Sequence, residues 1–134
     1  MFDDQNGPIE HYSWGKFVIL GEEHSEDGDV TIGKGKDIIL FNNKVKEWKK
    51  RKGHNLTKEM VEDAIDKEAD ILIIGNGADG ALSVSRKVID YIQDQGIKKV
   101  IVEKTPEACA EYNKLYRKGK KVAKKKGAAL QLIS

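Results

Sequence analysis

Cysteine is almost absent: Cys109 stands alone, which excludes an internal disulfide and suits a reducing compartment. Long apolar runs are missing, and none approaches the roughly 18 to 20 residues that span a bilayer. Residues 1–8 are acidic and polar, so they read as neither a secretory signal nor a basic transit peptide, and a cytoplasmic setting is expected. The histidines are few, and His11, His24 and His54 share no ligand spacing with one another or with Cys109. No metal site is expected from them. The acids between Glu22 and Asp29 lack the alternate spacing of a calcium loop and read as a hairpin tip. Ser83 and Ser85 make no nucleophile elbow, no catalytic constellation stands out, and no cofactor is expected. Neither an internal repeat nor a low-complexity linker interrupts the chain.

What is present is charge. Charged residues make up 34% of the 134 positions, against a typical quarter. The length suits one domain over residues 1–134, with residues 1–8 expected as a disordered tail. Acids crowd the opening third, from Asp3 to Asp29, whereas Lys114, Arg117, Lys118, Lys120, Lys121, Lys124, Lys125 and Lys126 crowd the last. Lys114, Lys118, Lys121 and Lys125 would share one helical stripe, provided Gly119 leaves the helix intact. No aromatic ladder accompanies them, so a solvated face is expected rather than a nucleic-acid surface.

Along the chain, Ile9 to Leu20 reads as one long strand or two broken at a Gly15 bulge. Glu26-Asp27-Gly28-Asp29 is a hairpin turn, Val30 and Ile32 begin the return strand, and Lys34-Gly35-Lys36 turns again. With Asp37–Phe41 as a further strand, the first third reads as an antiparallel meander. Asn42 to Gly53 carries little pattern. Thr57 is a good N-cap for a helix over Lys58–Glu68, with Leu56 and Val61 as a hydrophobic staple. Ile71–Ile74 forms a strand with no polar face, expecting cover on both sides. Val84, Val88 and Ile92 then recur at helical spacing up to Gly96. Lys98–Glu103 is a second buried strand, and Thr105-Pro106-Glu107 opens a helix striped by Ala108, Cys109, Tyr112 and Leu115. Residues 128–133 close as a last strand. The class is therefore α/β.

The candidate site lies where the first buried strand meets Gly75-Asn76-Gly77-Ala78-Asp79-Gly80. The spacing matches a dinucleotide fingerprint, and Glu103 ends the next strand where a ribose-binding acid would sit. Three features oppose that reading: Ser85 is a plausible N-cap that leaves Ala81–Val84 extended, Asp79 brings negative charge, and only half a dinucleotide fold follows. A tight strand-exit turn is the better reading, with a smaller anion at Gly77 still open. Gly75, Asn76, Gly77, Glu103, Lys104 and Thr105, with Trp14 beside them, form the candidate cleft or anion-binding set. Trp48 reads as core, although it stands near His54 and a cleft there is the alternative.

Several stretches taken together resemble a known family. They are Ile9 through Tyr12-Ser13-Trp14-Gly15, Asp29-Val30-Thr31-Ile32, Trp48 with His54-Asn55-Leu56-Thr57, Ile73-Ile74-Gly75-Asn76-Gly77, and Thr105-Pro106-Glu107-Ala108 leading to Tyr112-Asn113. In this order they resemble a small domain-of-unknown-function family of archaea, bacteria and eukaryotes. That family includes an adipogenesis-associated domain protein and a mitochondrial complex I assembly factor. The resemblance implies a three-layer domain: a central mixed, mainly parallel sheet with an additional N-terminal antiparallel β layer. It implies no established enzyme activity and points to assembly and protein interaction. Many members carry a histidine in the closing strand; Ala129-Leu130-Gln131-Leu132 stands here, so no role transfers to it. The expected function is a non-enzymatic protein-interaction or assembly-type module, with a protein partner and self-association open. The alternative is a small-molecule or anion-binding domain at the glycine turn.

Overall fold

Ile71–Ile74 leave no polar face, and in the computed structural model they are covered on both sides. The structure describes residues 1–13, 16–24, 37–41, 44–48, 53–66, 69–121 and 128–133. The chain begins with β1 (Phe2–Asp3), β2 (Ile9–Ser13), β3 (Lys16–Ile19) and β4 (Glu22–His24). These form a four-stranded antiparallel sheet in sequence order. A second sheet uses β5 (Asp37–Phe41), β6 (Lys44–Glu47), β7 (Ile71–Gly75), β8 (Lys99–Glu103) and β9 (Ala128–Ile133). Its order is β6-β5-β9-β7-β8, with β7 parallel to both β8 and β9 and β5 antiparallel to both its neighbours. Four strands therefore run one way and β5 alone the other. The sheet is mixed and mainly parallel.

Alternation sends successive side chains of this sheet into two cores. Leu72, Ile74 and Ile39 join Trp48, Leu56, Met60 and Val61 beneath α1 (Glu62–Asp66) and α2 (Arg86–Asp94). Ile73, Ile38 and Leu40 face the other way, into Ile9, Tyr12, Phe17 and Ile19 of the N-terminal sheet and Ala108, Cys109 and Tyr112 of α3 (Thr105–Lys121). The result is a three-layer α/β domain. Ser85 caps α2 by accepting the Val88 N–H, and Gly96 ends its final turn at a φ of 102°. α3 continues through Gly119 to Lys121.

Several expectations need correction. β5 leaves the meander for the second sheet, because its two apolar faces need cover that the N-terminal strands give only to one. β6 was not expected, since Lys44-Val45-Lys46-Glu47 carries one apolar residue; it pairs as an edge strand, where charge is tolerated. The helix expected over 58–68 is a 3₁₀ turn at Glu59–Val61 followed by the short α1. Thr57 does not cap it. Its hydroxyl instead bonds the Glu59 carboxylate, which also accepts its own N–H, holding that carboxyl below its usual range. The tail expected at 1–8 is not loose either: Phe2 pairs with Tyr12 and Asp3 with His11, and Asp4 meets Arg117 of α3 at 2.8 Å. β2 has its irregularity between Ile9 and His11. Gly15, the turns at 26–29 and 34–36 and the strand at 30–32 lie outside the described residues.

The β3–β4 turn carries a local cost. Leu20 and Gly21 both have positive φ, 51° and 79°, and Leu20 is half exposed. A left-handed leucine is disfavoured where asparagine is tolerated, so Leu20→Asn should stabilise the fold by about 1 kcal/mol. Urea unfolding with an unchanged slope would show it as a higher midpoint.

Candidate functional site

β7 and β8 end side by side, and the turns that follow them are stitched together. The Asn76 N–H donates to the Glu103 carbonyl at 2.9 Å, and the Thr105 N–H donates to the Gly77 carbonyl at 3.0 Å. In return the Gly77 N–H donates to Thr105 Oγ1 at 3.0 Å. Gly77 adopts a φ of 105°, a conformation that side chains resist, and Thr105 is fully buried. The Gly77 carbonyl also accepts from Gly80, and the Asn76 carbonyl accepts from Leu82. The amides of Asn76, Gly77, Gly80 and Leu82 thus all serve the protein itself. A β-carbon at Gly80 would lie 3.7 Å from Asn76 Oδ1 and 3.9 Å from Lys104 Cε, so Lys104 closes over the turn.

Beyond Gly80 the chain does not enter a helix. Ser83 makes a strand-like bridge with Asn55: Leu56 donates to Ser83 and Ser83 donates to the His54 carbonyl. α2 begins only after Ser85. The glycine pattern is therefore a strand-exit turn, and the helix that follows it in sequence begins only after Ser85, too late for its N-terminus to meet a pyrophosphate there. The structure brings together Gly75, Asn76, Gly77, Glu103, Lys104 and Thr105. Trp14 lies outside the described residues. Trp48 is core, 2% exposed, and its indole N–H donates to the Met60 carbonyl.

Sequence reasoning overlooked Tyr12, which stood only among the family-like residues. Its ring is buried against Phe17 at 5.0 Å, and its hydroxyl has no hydrogen-bond partner among the described residues. Burial, with Cys109 and Asp79 adding to it, pushes its pKa up to about 12. Asp79 of the turn and Cys109 of α3 thus both lie within electrostatic reach of one phenol. Asn76 Oδ1 is likewise buried without a partner among the described residues. Burial also pushes the Cys109 thiol up, the opposite of what a nucleophile needs. Among the described residues no cluster of His, Cys, Asp and Glu could hold a metal ion.

A different feature escapes the sequence altogether: among the described residues, β8 lies at an edge of its sheet. Lys99 N–H donates to Asp70, and the Glu103 carbonyl accepts from Asn76. By alternation Lys99, Ile101 and Glu103 turn their backbone groups towards β7, leaving those of Val100 and Val102 pointing outward. The other edges of the two sheets are blunted. β1 has two residues, β4 has three with Glu22 and Glu23 exposed, and β6 carries two lysines and a glutamate. β8 has five residues and an apolar centre, Val100-Ile101-Val102, each half-buried.

A family model described as a protein of unknown function (DUF498/DUF598) matches residues 9–125. Solved structures share the fold over nearly the whole chain. An outer membrane protein from Bartonella henselae is 18% identical with a TM-score of 0.71, covering 96% of this chain and 95% of that one. A conserved hypothetical protein from Pyrococcus horikoshii OT3 is 22% identical with a TM-score of 0.63, covering 93% and 96%. A protein from Xanthomonas campestris is 14% identical with a TM-score of 0.64, covering 97% and 86%. At these identities the likeness is one of fold. Among the described residues of this chain, no helix is long and apolar enough to cross a membrane.

Proposed function

The chain belongs to the DUF498/DUF598 family of unknown function, and on that premise we propose that it is a non-enzymatic, assembly-type protein-interaction module of the cytoplasm that binds through the open edge of β8. The observation that carries this reading is the contrast among edges. Three are short or charged, while β8 offers outward amides and carbonyls beside valine and isoleucine. An added strand gains main-chain hydrogen bonds along such an edge and side-chain contacts on both faces. The resemblance of the chain's motifs to a family that includes an adipogenesis-associated protein and a complex I assembly factor supports the same class of role.

The test is capture from native lysate at physiological salt. The wild-type chain should retain a stoichiometric partner at this edge, an untagged copy of the same chain counting as one, and Val100→Pro should lose it. Proline at that position removes an outward N–H and no bond to β7, so the circular dichroism spectrum should be kept. A clean preparation with no partner would count heavily against the reading.

One observation favours a second reading, a small-molecule or anion-binding role at the glycine turn: Tyr12 Oη and Asn76 Oδ1 are both buried without partners among the described residues. Leaving such a group unpaired costs about 1 kcal/mol or more, so Tyr12→Phe should stabilise the free protein by about that amount. A ligand that uses the hydroxyl would reverse the order. At a hundred times its dissociation constant it should add about 2.7 kcal/mol to the wild type and little to Tyr12→Phe. A thermal-shift screen of nucleotides, phosphates and carboxylates decides it. No shift in any of them would remove this reading.

A further inference from the structure

We infer that the partner of the β8 edge is a second copy of the same strand, paired antiparallel about a two-fold axis through Ile101. This inference rests on the edge-binding reading above and names its occupant. The strand reads Lys99-Val100-Ile101-Val102-Glu103, and that order is self-complementary when reversed. Laid antiparallel on itself, it sets Ile101 opposite Ile101, Val100 opposite Val102, and Lys99 opposite Glu103. Both charged pairs within the strand are then attractive, and Lys98 faces Lys104 only beyond its ends, outside the paired segment.

The backbone agrees with this register. Val100 and Val102 are the residues whose N–H and C=O groups point outward, and the register makes them opposite one another. They would exchange both bonds as a hydrogen-bonded antiparallel pair. Ile101 against Ile101 and Lys99 against Glu103 then fall at the closer, non-hydrogen-bonded positions, where side chains meet best. A shift by one residue would break this agreement, since outward groups would then face residues whose own groups are bound to β7. A shift by two would bring Ile101 against Glu103 or Lys99 and lose the pairing of opposite charges. Val100 and Val102 belong to the α2 face and Ile101 to the α3 face, so apolar contact would continue on both sides of the joined sheet. α3 itself packs mainly over β7 and β9, which leaves room beside β8. Closed two-fold pairing also removes the edge from further growth.

Sedimentation of the purified full chain tests the pairing. The wild type should form a dimer with a dissociation constant on the order of micromolar, as small interfaces do. Lys99→Glu places a carboxylate opposite Glu103 at two symmetric positions, and should weaken the dimer about tenfold. Glu103→Lys should do the same through opposed lysines. The two variants mixed in equal amounts should associate more tightly than either alone, because each then meets its opposite charge. The double exchange in one chain should restore the wild-type constant. Misfolding cannot imitate that rescue. A wild type that stays monomeric to about 0.5 mM, or a dimer indifferent to both charge reversals, would overturn the inference. If Val100→Pro still abolished lysate capture in that case, the edge-binding reading would stand and only the second copy would fall.

Discussion

Trp48→Ala should destabilise the protein by about 4 kcal/mol, the range for removing a buried indole from a core. Trp48 follows β6 directly, and its own N–H donates to the Asp37 carbonyl at 2.8 Å, extending the β5–β6 pairing by one step. Its indole N–H donates to the Met60 carbonyl, also at 2.8 Å. The side chain thus fixes the 3₁₀ turn at Glu59–Val61 against an edge strand that has one apolar residue to hold it. Losing the ring opens a cavity among Ile39, Leu56, Met60 and Val61 and releases that turn. Trp48→Phe separates the two effects. It keeps most of the apolar volume and loses the hydrogen bond, at an expected cost of about 2 kcal/mol. Against a total of about 5 to 15 kcal/mol for a domain, the alanine variant is near the edge of folding. Urea unfolding followed by far-ultraviolet dichroism would measure both. A loss below about 1.5 kcal/mol for Trp48→Ala would show that the site collapses to fill the space.

Asn113→Ala comes next, at about 3 kcal/mol. This asparagine is fully buried on α3, and its amide treats Ile9 as a neighbouring strand would. Oδ1 accepts the Ile9 N–H at 3.1 Å, and Nδ2 donates to the Ile9 carbonyl at 2.8 Å and to Asp4 Oδ2 at 3.1 Å. Alanine leaves the Ile9 main chain without these bonds in a buried setting. Gly7 packs over the same amide: a β-carbon there would fall 2.1 Å from Nδ2. Because three bonds hold the amide in place, Gly7→Ala should itself cost about 2 kcal/mol as overpacking. In the Asn113→Ala background it should cost much less, and a double-mutant cycle reads that coupling.

Acid should undo the same junction. The Arg117 guanidinium, the Asn6 N–H and the Asn113 amide hold the Asp4 carboxyl below its usual range, against a smaller opposing effect of burial. A lowered carboxylate contributes stability that is fully present above its unfolded value, near pH 4, and fades as pH falls below it. Arg117→Ala should therefore flatten the acid limb of the stability curve.

The residues that folded as read are those whose partners are near in sequence. Ile71–Ile74 and the Ser85 cap state their conformation locally and stand where expected. The helix opens at 105–107 as read, although Thr105, expected as its cap, lies inside it and its hydroxyl accepts the Gly77 N–H. Asp4 did not fold as read, because what holds it is Asn113 and Arg117, more than a hundred positions away, while Phe2 and Asp3 pair with Tyr12 and His11 of β2. β6 was hidden for a related reason, since an edge strand needs charge where a core strand needs valine. The candidate turn was legible as a turn from its glycines. Its stitching to Thr105 was not, because it depends on β7 and β8 being neighbours. The exposed edge of β8 follows from a strand order that no local pattern encodes.

The position of β9 has a consequence for the chain during its synthesis. β9 lies between β5 and β7, so neither completes its second pairing until residues 128–133 have left the ribosome. Up to that moment the nascent chain holds a β5–β6 hairpin and a β7–β8 pair with no common sheet. The apolar flank of Ile71–Ile74 then stands open on the side β9 will fill. Contacts between residues near 40 and near 130 must close a loop of roughly ninety positions, which makes the last step slow relative to local helix formation. Holding chaperones would act in that interval, and a translational pause before residue 128 would lengthen it.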